Sequence, residues 1–303
     1  MKTILYIPTL NAGRLWSSVI QGINKQLIQP DRIVIIDSGS TDDTLLHPSM
    51  KDFEIIHIDK KDFDHGGTRQ MAVNRFPDAD LYLFLTQDAI LANEHSLGNL
   101  IKVFDENPQV GVAYGRQLPH IGSKGLETHA RLFNYPANSQ LRGLASRSKY
   151  GIKTASCSNS FAAYRKTAFE EAGGFPSGTI LGEDVIAAGR IILNGWQLAY
   201  VADAQAYHSH SYSVKEEFKR YFDIGVFHAT NSWIFQHFGH AESEGFRYVK
   251  SEFSYIIKHR ATELPKAFFS TGAKWLGYKL GLFHKYLPST WNKHFSMHKA
   301  YWK

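Results

Sequence analysis

The sequence predicts an α/β fold in which a mostly parallel sheet is flanked by helices. Short apolar runs alternate with segments that carry the helical apolar period, and this alternation is typical of βαβ units. A chain of 303 residues with 43% hydrophobic residues can form one large domain with an appendage, or two small domains. We place a boundary after residue 212, with a helical, basic and aromatic extension over residues 213–303.

Four apolar runs are predicted to be buried parallel strands, because they lack polar alternation. They cover residues 3–7, 32–36, 53–58 and 81–85. Helical patterns over residues 14–27 and 67–75 lie between them, and residues 184–193 form a later helix. Ligands bind beyond the carboxyl ends of parallel strands, so the polar clusters that follow these runs are candidate site residues.

Two polar loops follow the first two strands. They place Asn11, Asp37 and Asp42 at adjacent strand ends, where a carboxylate can accept the imide N–H of a pyrimidine or bind a ribose hydroxyl. Taken singly, each loop could also be an ordinary turn with a helix cap. Neither loop has the Gly-x-Gly-x-x-Gly pattern, so a dinucleotide is disfavoured.

Two further carboxylate positions suggest chemistry. Asp88 follows the fourth strand and can supply one carboxylate to a metal ion. One is enough, because Mg²⁺ or Mn²⁺ on a diphosphate takes only one or two protein carboxylates. Glu183 and Asp184 open a predicted helix, where an acidic residue either caps the helix or faces the site as a general base. His208 and His210 are either metal ligands or histidines of a solvent-facing loop.

The order of these motifs resembles the family 2 inverting glycosyltransferases of the GT-A fold. The motifs are Pro-Thr-Leu-Asn, Asp-Ser-Gly-Ser-Thr-Asp, Thr-Gln-Asp-Ala, Gly-Gly-Phe, Gly-Glu-Asp and Gly-Trp, within residues 1 to about 210. The segment from Phe63 to Arg69, together with Thr-Gln-Asp-Ala, is similar to bacterial rhamnosyltransferases of O-antigen and cell-wall polysaccharides. Thr86 stands where the family has the first carboxylate of Asp-x-Asp, so this chain departs from the family pattern at the expected metal site.

The resemblance implies a role for each candidate residue. Asp184 would be the catalytic base with Glu183 beside it, and Asp88 with His208 would hold Mg²⁺ or Mn²⁺. The donor would contact a set of six residues: Thr9, Asn11, Asp37, Asp42, Arg69 and Gln87. It also implies dTDP-β-L-rhamnose as donor, a polyprenyl-diphosphate-linked saccharide as acceptor and an α-L-rhamnosyl product. A UDP-hexose or galactofuranose donor, or a non-catalytic sugar-binding protein, are the alternatives.

Two segments are predicted to be loops near the site. The glycines in His65–Arg69 permit close backbone approach, and Arg69 can meet a phosphate, so a donor-site loop is favoured over a helix start. Residues 120–152 have many Gly, Ser, Arg and Lys residues and no long apolar run, which is typical of a mobile lid.

The C-terminal 54 residues carry ten Lys or Arg and two Asp or Glu, although the whole chain has a net charge of only +6. Twelve of the 41 aromatic residues also lie there, a mixture that fits a membrane surface better than nucleic acid. A helical stripe either meets that surface or packs on the main domain, with Lys274 and Lys285 opposite. It comprises Phe269, Ala273, Leu276, Leu280, Phe283 and Leu287.

The sequence also suggests where the protein works. One cysteine, Cys157, excludes an internal disulfide, and no secretory leader or run of about 20 apolar residues is present. We therefore expect a cytoplasmic protein that is peripheral on the inner face of a bacterial inner membrane.

Overall fold

A computed structural model of the chain describes residues 1–239 and 242–302. Within these residues nine strands form one sheet. They are β1 (Thr3–Thr9), β2 (Arg32–Asp37), β3 (Glu54–His57), β4 (Leu81–Leu85), β5 (Ile90–Leu91), β6 (Val110–Leu118), β7 (Gln140–Arg142), β8 (Phe161–Arg165) and β9 (Gln197–Tyr207). Their spatial order is β3-β2-β1-β4-β8-β6-β9-β5, and β7 pairs with β9.

The first four strands form the parallel half of the sheet and confirm the four predicted strands. Strand β1 pairs in parallel with β2 and β4, and β2 pairs in parallel with β3. Residues 4–7 are fully buried on both faces, because successive side chains enter two different clusters of the core. Thr9 lies beside Asp37 in the register, so the first two polar loops leave the sheet at one edge.

The rest of the sheet is mixed. Strand β8 runs antiparallel to both β4 and β6, while β6 and β9 are parallel. Phe161 at the start of β8 pairs with Leu85 at the end of β4. The residues just before β8 therefore lie at the same edge of the sheet as the polar loops.

Twelve helices accompany the sheet in the described part of the chain. They are α1 (Trp16–Asn24), α2 (His65–Arg75), α3 (Ser96–Glu106), α4 (Gly125–Asn134), α5 (Arg147–Tyr150), α6 (Lys166–Glu171), α7 (Glu183–Leu193), α8 (Val214–Thr230), α9 (Trp233–Phe238), α10 (Glu242–His259), α11 (Leu264–Leu282) and α12 (Ser289–Phe295). The three predicted helices are confirmed as α1, α2 and α7, with shifted ends.

Two loop predictions are wrong. The segment from His65 to Arg69 is the first turn of α2, because Asp64 caps that helix by accepting a hydrogen bond from Gly67 N–H. Residues 120–152 contain α4, β7 and α5 rather than a loop. Helix α4 packs on α10. Its His129 is buried, and the Nε2 atom lies 2.9 Å from the Ser251 hydroxyl of α10. The residues that cover α4 therefore come from a distant part of the chain.

Helices α8 and α11 cross at very short range. A Cβ at Gly277 would overlap the carbonyl oxygen of Phe218, and one at Gly281 would overlap that of Phe222. The absence of a side chain at these two glycines lets the two backbones touch. Phe222 also joins the main core cluster, so these helices share a core with the sheet. The division at residue 212 stays a prediction.

The predicted apolar stripe of α11 is only partly right. Lys274, expected on the outer side, is 9% exposed and pairs with Glu252 at 3.2 Å. The small residues of α11 face inward with it, which turns Phe269, Leu276 and Phe283 toward solvent. None of the described helices is long and apolar enough to cross a membrane.

Candidate active site

The loops after β1 and β2 are tied together by their own polar groups. The Asp37 carboxylate is 1% exposed and accepts hydrogen bonds from the Thr9 and Ser40 hydroxyls, at 3.0 and 2.5 Å. Its second oxygen accepts from the backbone N–H groups of Gly39 and Ser40. Asp37 therefore fixes the loop that follows β2.

Asn11 and Asp42 connect the two loops to each other. Asn11 has a positive φ of 46° and accepts a hydrogen bond from Thr41 N–H through its side-chain oxygen at 2.8 Å. Asp42 accepts from Thr44 and from Gly13 N–H, and the Thr44 hydroxyl bond is the main cause that lowers the Asp42 pKa. The edge where a nucleoside is expected is thus preformed.

Gln87 links this edge to the end of β4. Its side chain accepts from Leu10 N–H at 2.7 Å and donates to the Leu10 carbonyl at 3.2 Å. The next residue, Asp88, is thereby placed at a fixed distance from the loops after β1 and β2.

Asp88, His208 and His210 form a cluster whose ligand atoms all lie within 4.8 Å of one another. Asp88 Oδ1 is 3.4 Å from His208 Nε2, and Asp88 Oδ2 is 3.7 Å from His210 Nε2. Burial pushes the pKa of Asp88 up, but His208 and His210 more than offset this, and the net shift is downward. Burial and the neighbouring His208 lower the pKa of His210 to about 4. Neutral imidazole is the form that binds metals.

The orientation of the His208 ring suits a metal ligand. Gln117 Oε1 accepts a hydrogen bond from Arg131 Nη1 at 2.9 Å, and His208 Nδ1 lies 2.9 Å from the same oxygen. Because that oxygen only accepts, Nδ1 carries a proton, and Nε2 is the nitrogen that faces Asp88. Asp88 Oδ1 and His208 Nε2 lie 3.4 Å apart, a separation that two ligands of one divalent ion can have, so the residues present fit such an ion.

The second cluster is the carboxylate pair at the first turn of α7. Glu183 is buried and accepts from Asn159 Nδ2 at 3.1 Å, while Arg69 Nη1 lies 3.2 Å away. Burial alone would raise the pKa of Glu183, yet Arg69, His65 and Asn159 hold it below its ordinary value. Glu183 therefore remains ionised.

Asp184 has the opposite environment. Its carboxylate accepts from the backbone N–H groups of Asn159 at 3.1 Å and Val185 at 2.8 Å. Burial and the negative charge of Glu183 nevertheless raise the pKa of Asp184 to about 7. Two adjacent carboxyl groups with pKa values pushed apart are typical of an acid–base site, and Asp184 is the one tuned to take up a proton near neutrality.

The turn Ser158–Asn159–Ser160 connects the two clusters. Ser158 accepts from Gln117, which holds His208, whereas Asn159 holds both carboxylates of α7. The Ser160 carbonyl accepts from Thr86 N–H at 3.4 Å. Sequence inspection missed Asn159 and Gln117, because an Asn in a turn and a Gln in a strand carry no motif.

Arg69 lies with the carboxylate pair and not with the nucleoside loops. It is 5% exposed, and its Nη1 also donates to the His65 carbonyl at 2.7 Å. Helix α2 can lie so close to Pro176 because Gly66 has no side chain: a Cβ there would overlap the Pro176 carbonyl. Of the predicted site residues, Thr9, Asn11, Asp37, Asp42 and Gln87 form one group, Asp88 and His208 a second, and Arg69, Glu183 and Asp184 a third.

Two polar loops that hydrogen-bond to each other, a cluster of potential metal ligands and a carboxyl group with a raised pKa lie at one edge of the sheet, an arrangement that suits a glycosyltransferase. The chain belongs to glycosyl transferase family 2, whose profile matches residues 5–173. It is 50% identical to the O-antigen chain rhamnosyltransferase RfbN of Salmonella typhimurium (strain LT2), over the whole chain and 96% of that protein. It is 46% identical to the O-antigen chain rhamnosyltransferase WbaN of Salmonella anatum, over 98% of this chain and 95% of that protein.

Solved structures share the fold. The mannosyltransferase PcManGT from Pyrobaculum calidifontis, in complex with GDP-Man and Mn²⁺, gives a TM-score of 0.58 at 18% identity, over 99% of this chain and 85% of that one. S. aureus TarS 1–349 with UDP-GlcNAc gives 0.52 at 17% identity, over 98% and 84%. These likenesses confirm the predicted fold class, an α/β sheet flanked by helices with a helical C-terminal region.

Proposed function

We propose that the chain transfers L-rhamnose from dTDP-β-L-rhamnose to a lipid-linked saccharide of O-antigen or a similar surface polysaccharide, with inversion of the anomeric centre. The sugar is supported by the names of the two Salmonella relatives. The chemistry is carried by one observation: Asp184, with a pKa of about 7, is held beside an ionised Glu183 at the sheet edge.

Asp184 acts as the base in this proposal. It takes the proton from the acceptor hydroxyl while that oxygen attacks the anomeric carbon, and the bond to the nucleoside diphosphate breaks on the opposite face. A single displacement on a β-L donor gives an α-L-rhamnosyl product. The N–H groups of Asn159 and Val185 orient the carboxylate, and Glu183 keeps its pKa high.

In this proposal Asp88, His208 and His210 would hold a divalent ion. When bound, such an ion would stabilise the negative charge of a leaving diphosphate. Mg²⁺ prefers an all-oxygen shell with several waters, whereas imidazole nitrogen suits transition metals, so two histidines favour Mn²⁺ over Mg²⁺. His210 would be the ligand that compensates for Thr86, where the family has a carboxylate.

The nucleoside is assigned to the loops after β1 and β2, through Thr9, Asn11, Asp37, Asp42 and Gln87. Most of their side-chain bonds are internal, which keeps the loops rigid before the donor arrives. For Arg69 the geometry supports a different use from the predicted phosphate contact, because it neutralises the buried Glu183.

The proposals for the acceptor and for the cellular location are based on exposed side chains of α11. Phe268, Phe269 and Trp275 are 66%, 62% and 63% exposed and lie together on one surface. We define these three residues as the aromatic patch. Because the C-terminal 54 residues are also rich in Lys and Arg, the patch suits an anionic bilayer. The protein would then be peripheral on the cytoplasmic face of the inner membrane and meet a polyprenyl-diphosphate-linked saccharide there.

A donor panel tests the proposal. Purified protein with Mn²⁺ is incubated with dTDP-rhamnose, UDP-hexoses and GDP-mannose, and free nucleoside diphosphate and thermal protection are measured. We expect dTDP-rhamnose to give the largest release and protection. Preference for a UDP-hexose would overturn the donor assignment, and a β-linked product by NMR would overturn the single displacement.

A further inference from the structure

The C-terminal end of the chain returns to the catalytic face of the molecule. After α12, Ser296 is fully buried, and the next two residues are anchored to α8. The Asp223 carboxylate of α8 is also fully buried and accepts from the N–H groups of Met297 at 2.8 Å and His298 at 3.4 Å. A buried carboxylate that binds successive N–H groups fixes the path of this segment.

The anchored segment places the His298 ring against His65. His298 Nδ1 lies 3.3 Å from His65 Nε2, and the two rings meet edge to face with centroids 4.9 Å apart. Burial lowers the pKa of both imidazoles, and that of His298 falls to about 4. Both rings are therefore neutral near pH 7, and one donates a hydrogen bond to the other.

His65 connects this contact to the carboxylate pair. It is the first residue of α2, and its carbonyl accepts the Arg69 guanidinium that pairs with Glu183. The neighbouring Gly66 lets the first turn of α2 lie directly on the first turn of α7, since a Cβ there would come within 3.2 Å of Glu183 Cβ. A shift of His65 would thus move the Arg69–Glu183 pair and the adjacent Asp184.

We propose that His298, anchored by Asp223, is a positioning residue for the transfer reaction, because it fixes His65 and through it the carboxylate pair. The proposal rests on the base role proposed for Asp184. It makes the last residues of the chain part of the active-site support, although they are more than 100 positions from Asp184 in sequence. Neutral imidazoles suit this place, because they hold the turn without adding charge beside Glu183.

Paired amide substitutions in the full-length protein test the proposal. An Asn amide places a polar atom where His298 Nδ1 lies, whereas a Gln amide reaches the Nε2 position instead. We expect His298→Ala and His298→Gln to lower kcat about tenfold, with the donor KM changed less than twofold, because small misplacements of reacting groups are costly. His298→Asn should keep at least about half of the native kcat. His294→Ala, on the exposed side of α12, is the matched control and should match native activity.

Three outcomes would overturn the proposal. The first is a native kcat in His298→Ala and His298→Gln. The second is equal loss in Ala, Gln and Asn variants together with a lowered melting temperature, which would show packing only. The third is a rise in donor KM as large as the fall in kcat. An Asp184→Asn control separates the two hypotheses: if it stays active, the base assignment fails independently of His298.

Discussion

Strands β1–β4 and helices α8–α12 contribute to one core, but different residues hold them in place. The parallel strands are apolar on both faces, and their loops are closed by local side-chain bonds such as those of Asp37. The helices depend on close backbone contact at Gly277 and Gly281 and on the buried Lys274–Glu252 pair. The first region carries the proposed nucleoside loops and Asp88 of the proposed metal site, whose two histidines follow β9. The second region contacts the first turn of α2 through His298 and His65. We expect substitutions in the two regions to separate activity from stability.

Asp184→Asn should cause the largest loss of activity. Asparagine keeps the shape but cannot take a proton, so kcat should fall by about two to four orders of magnitude. Binding of dTDP, measured by calorimetry, should stay near native. If this variant kept most of the native activity, Asp184 would not be the base.

Glu183→Gln tests the neighbouring carboxylate and should affect mainly stability. It leaves Arg69 buried without its charged partner, so the free energy of unfolding should fall by about 3 kcal/mol. It also removes the negative charge that, after burial, raises the pKa of Asp184. The base is active when deprotonated, so the native kcat should fall below about pH 7, and this limb should move to lower pH in the variant. An unmoved limb would contradict the assignment.

Removal of the metal ion should have the next largest effect, and it acts at the sheet edge and not on helices α8–α12. A chelator should lower activity by about 100-fold or more, since the charge on the leaving diphosphate is then uncompensated. Mn²⁺ should restore activity better than Mg²⁺. Asp88→Asn should weaken Mn²⁺ affinity in the absence of donor, with no change in melting temperature. Full activity in chelator would refute metal dependence.

The helix side of the comparison is tested by two glycines of one helix. Gly277→Ala in α11 places a Cβ on the Phe218 carbonyl and should destabilise the protein by about 3 kcal/mol. Gly272→Ala lies in the same helix with nothing within 4 Å of the added Cβ, and should stabilise it by about 1 kcal/mol. Chemical denaturation measures both. Equal effects would show that the crossing of α8 and α11 is not tight.

The aromatic patch should give the smallest effect. Each of Phe268→Ser, Phe269→Ser and Trp275→Ser should weaken binding to anionic vesicles by about tenfold, because partial burial of one aromatic side chain is lost. Binding of dTDP should be unchanged. Ile121→Ser, which is 89% exposed outside the patch, is the control. Equal losses in vesicle binding for Ile121→Ser would show that the patch has no special role.

The same contrast explains what the sequence could predict. Runs such as residues 81–85 and loops such as the one at Asp37 are local, so their strands, ends and polar residues were found by pattern alone. Asn159, Gln117 and His298 act through partners 24, 91 and 233 positions away, and no local pattern marks them. Lys274 was placed on the wrong side because its partner Glu252 belongs to another helix. Arg69 was identified as a site residue, but its guanidinium pairs with the buried Glu183 and does not lie at the loops after β1 and β2.

The turn at Ser158–Ser160 has a mechanical consequence. In an inverting transfer, the attacking hydroxyl and the departing diphosphate lie on opposite sides of the anomeric carbon, so the distance between their protein partners must match the two partial bonds to that carbon. Here the group proposed to serve the hydroxyl is fastened to Asn159, while the cluster proposed to serve the diphosphate is fastened through Gln117 to Ser158. Consecutive Cα atoms are about 3.8 Å apart, longer than any hydrogen bond. Insertion of a single residue between Ser158 and Asn159 would therefore increase the distance between the two clusters, even with every side chain intact.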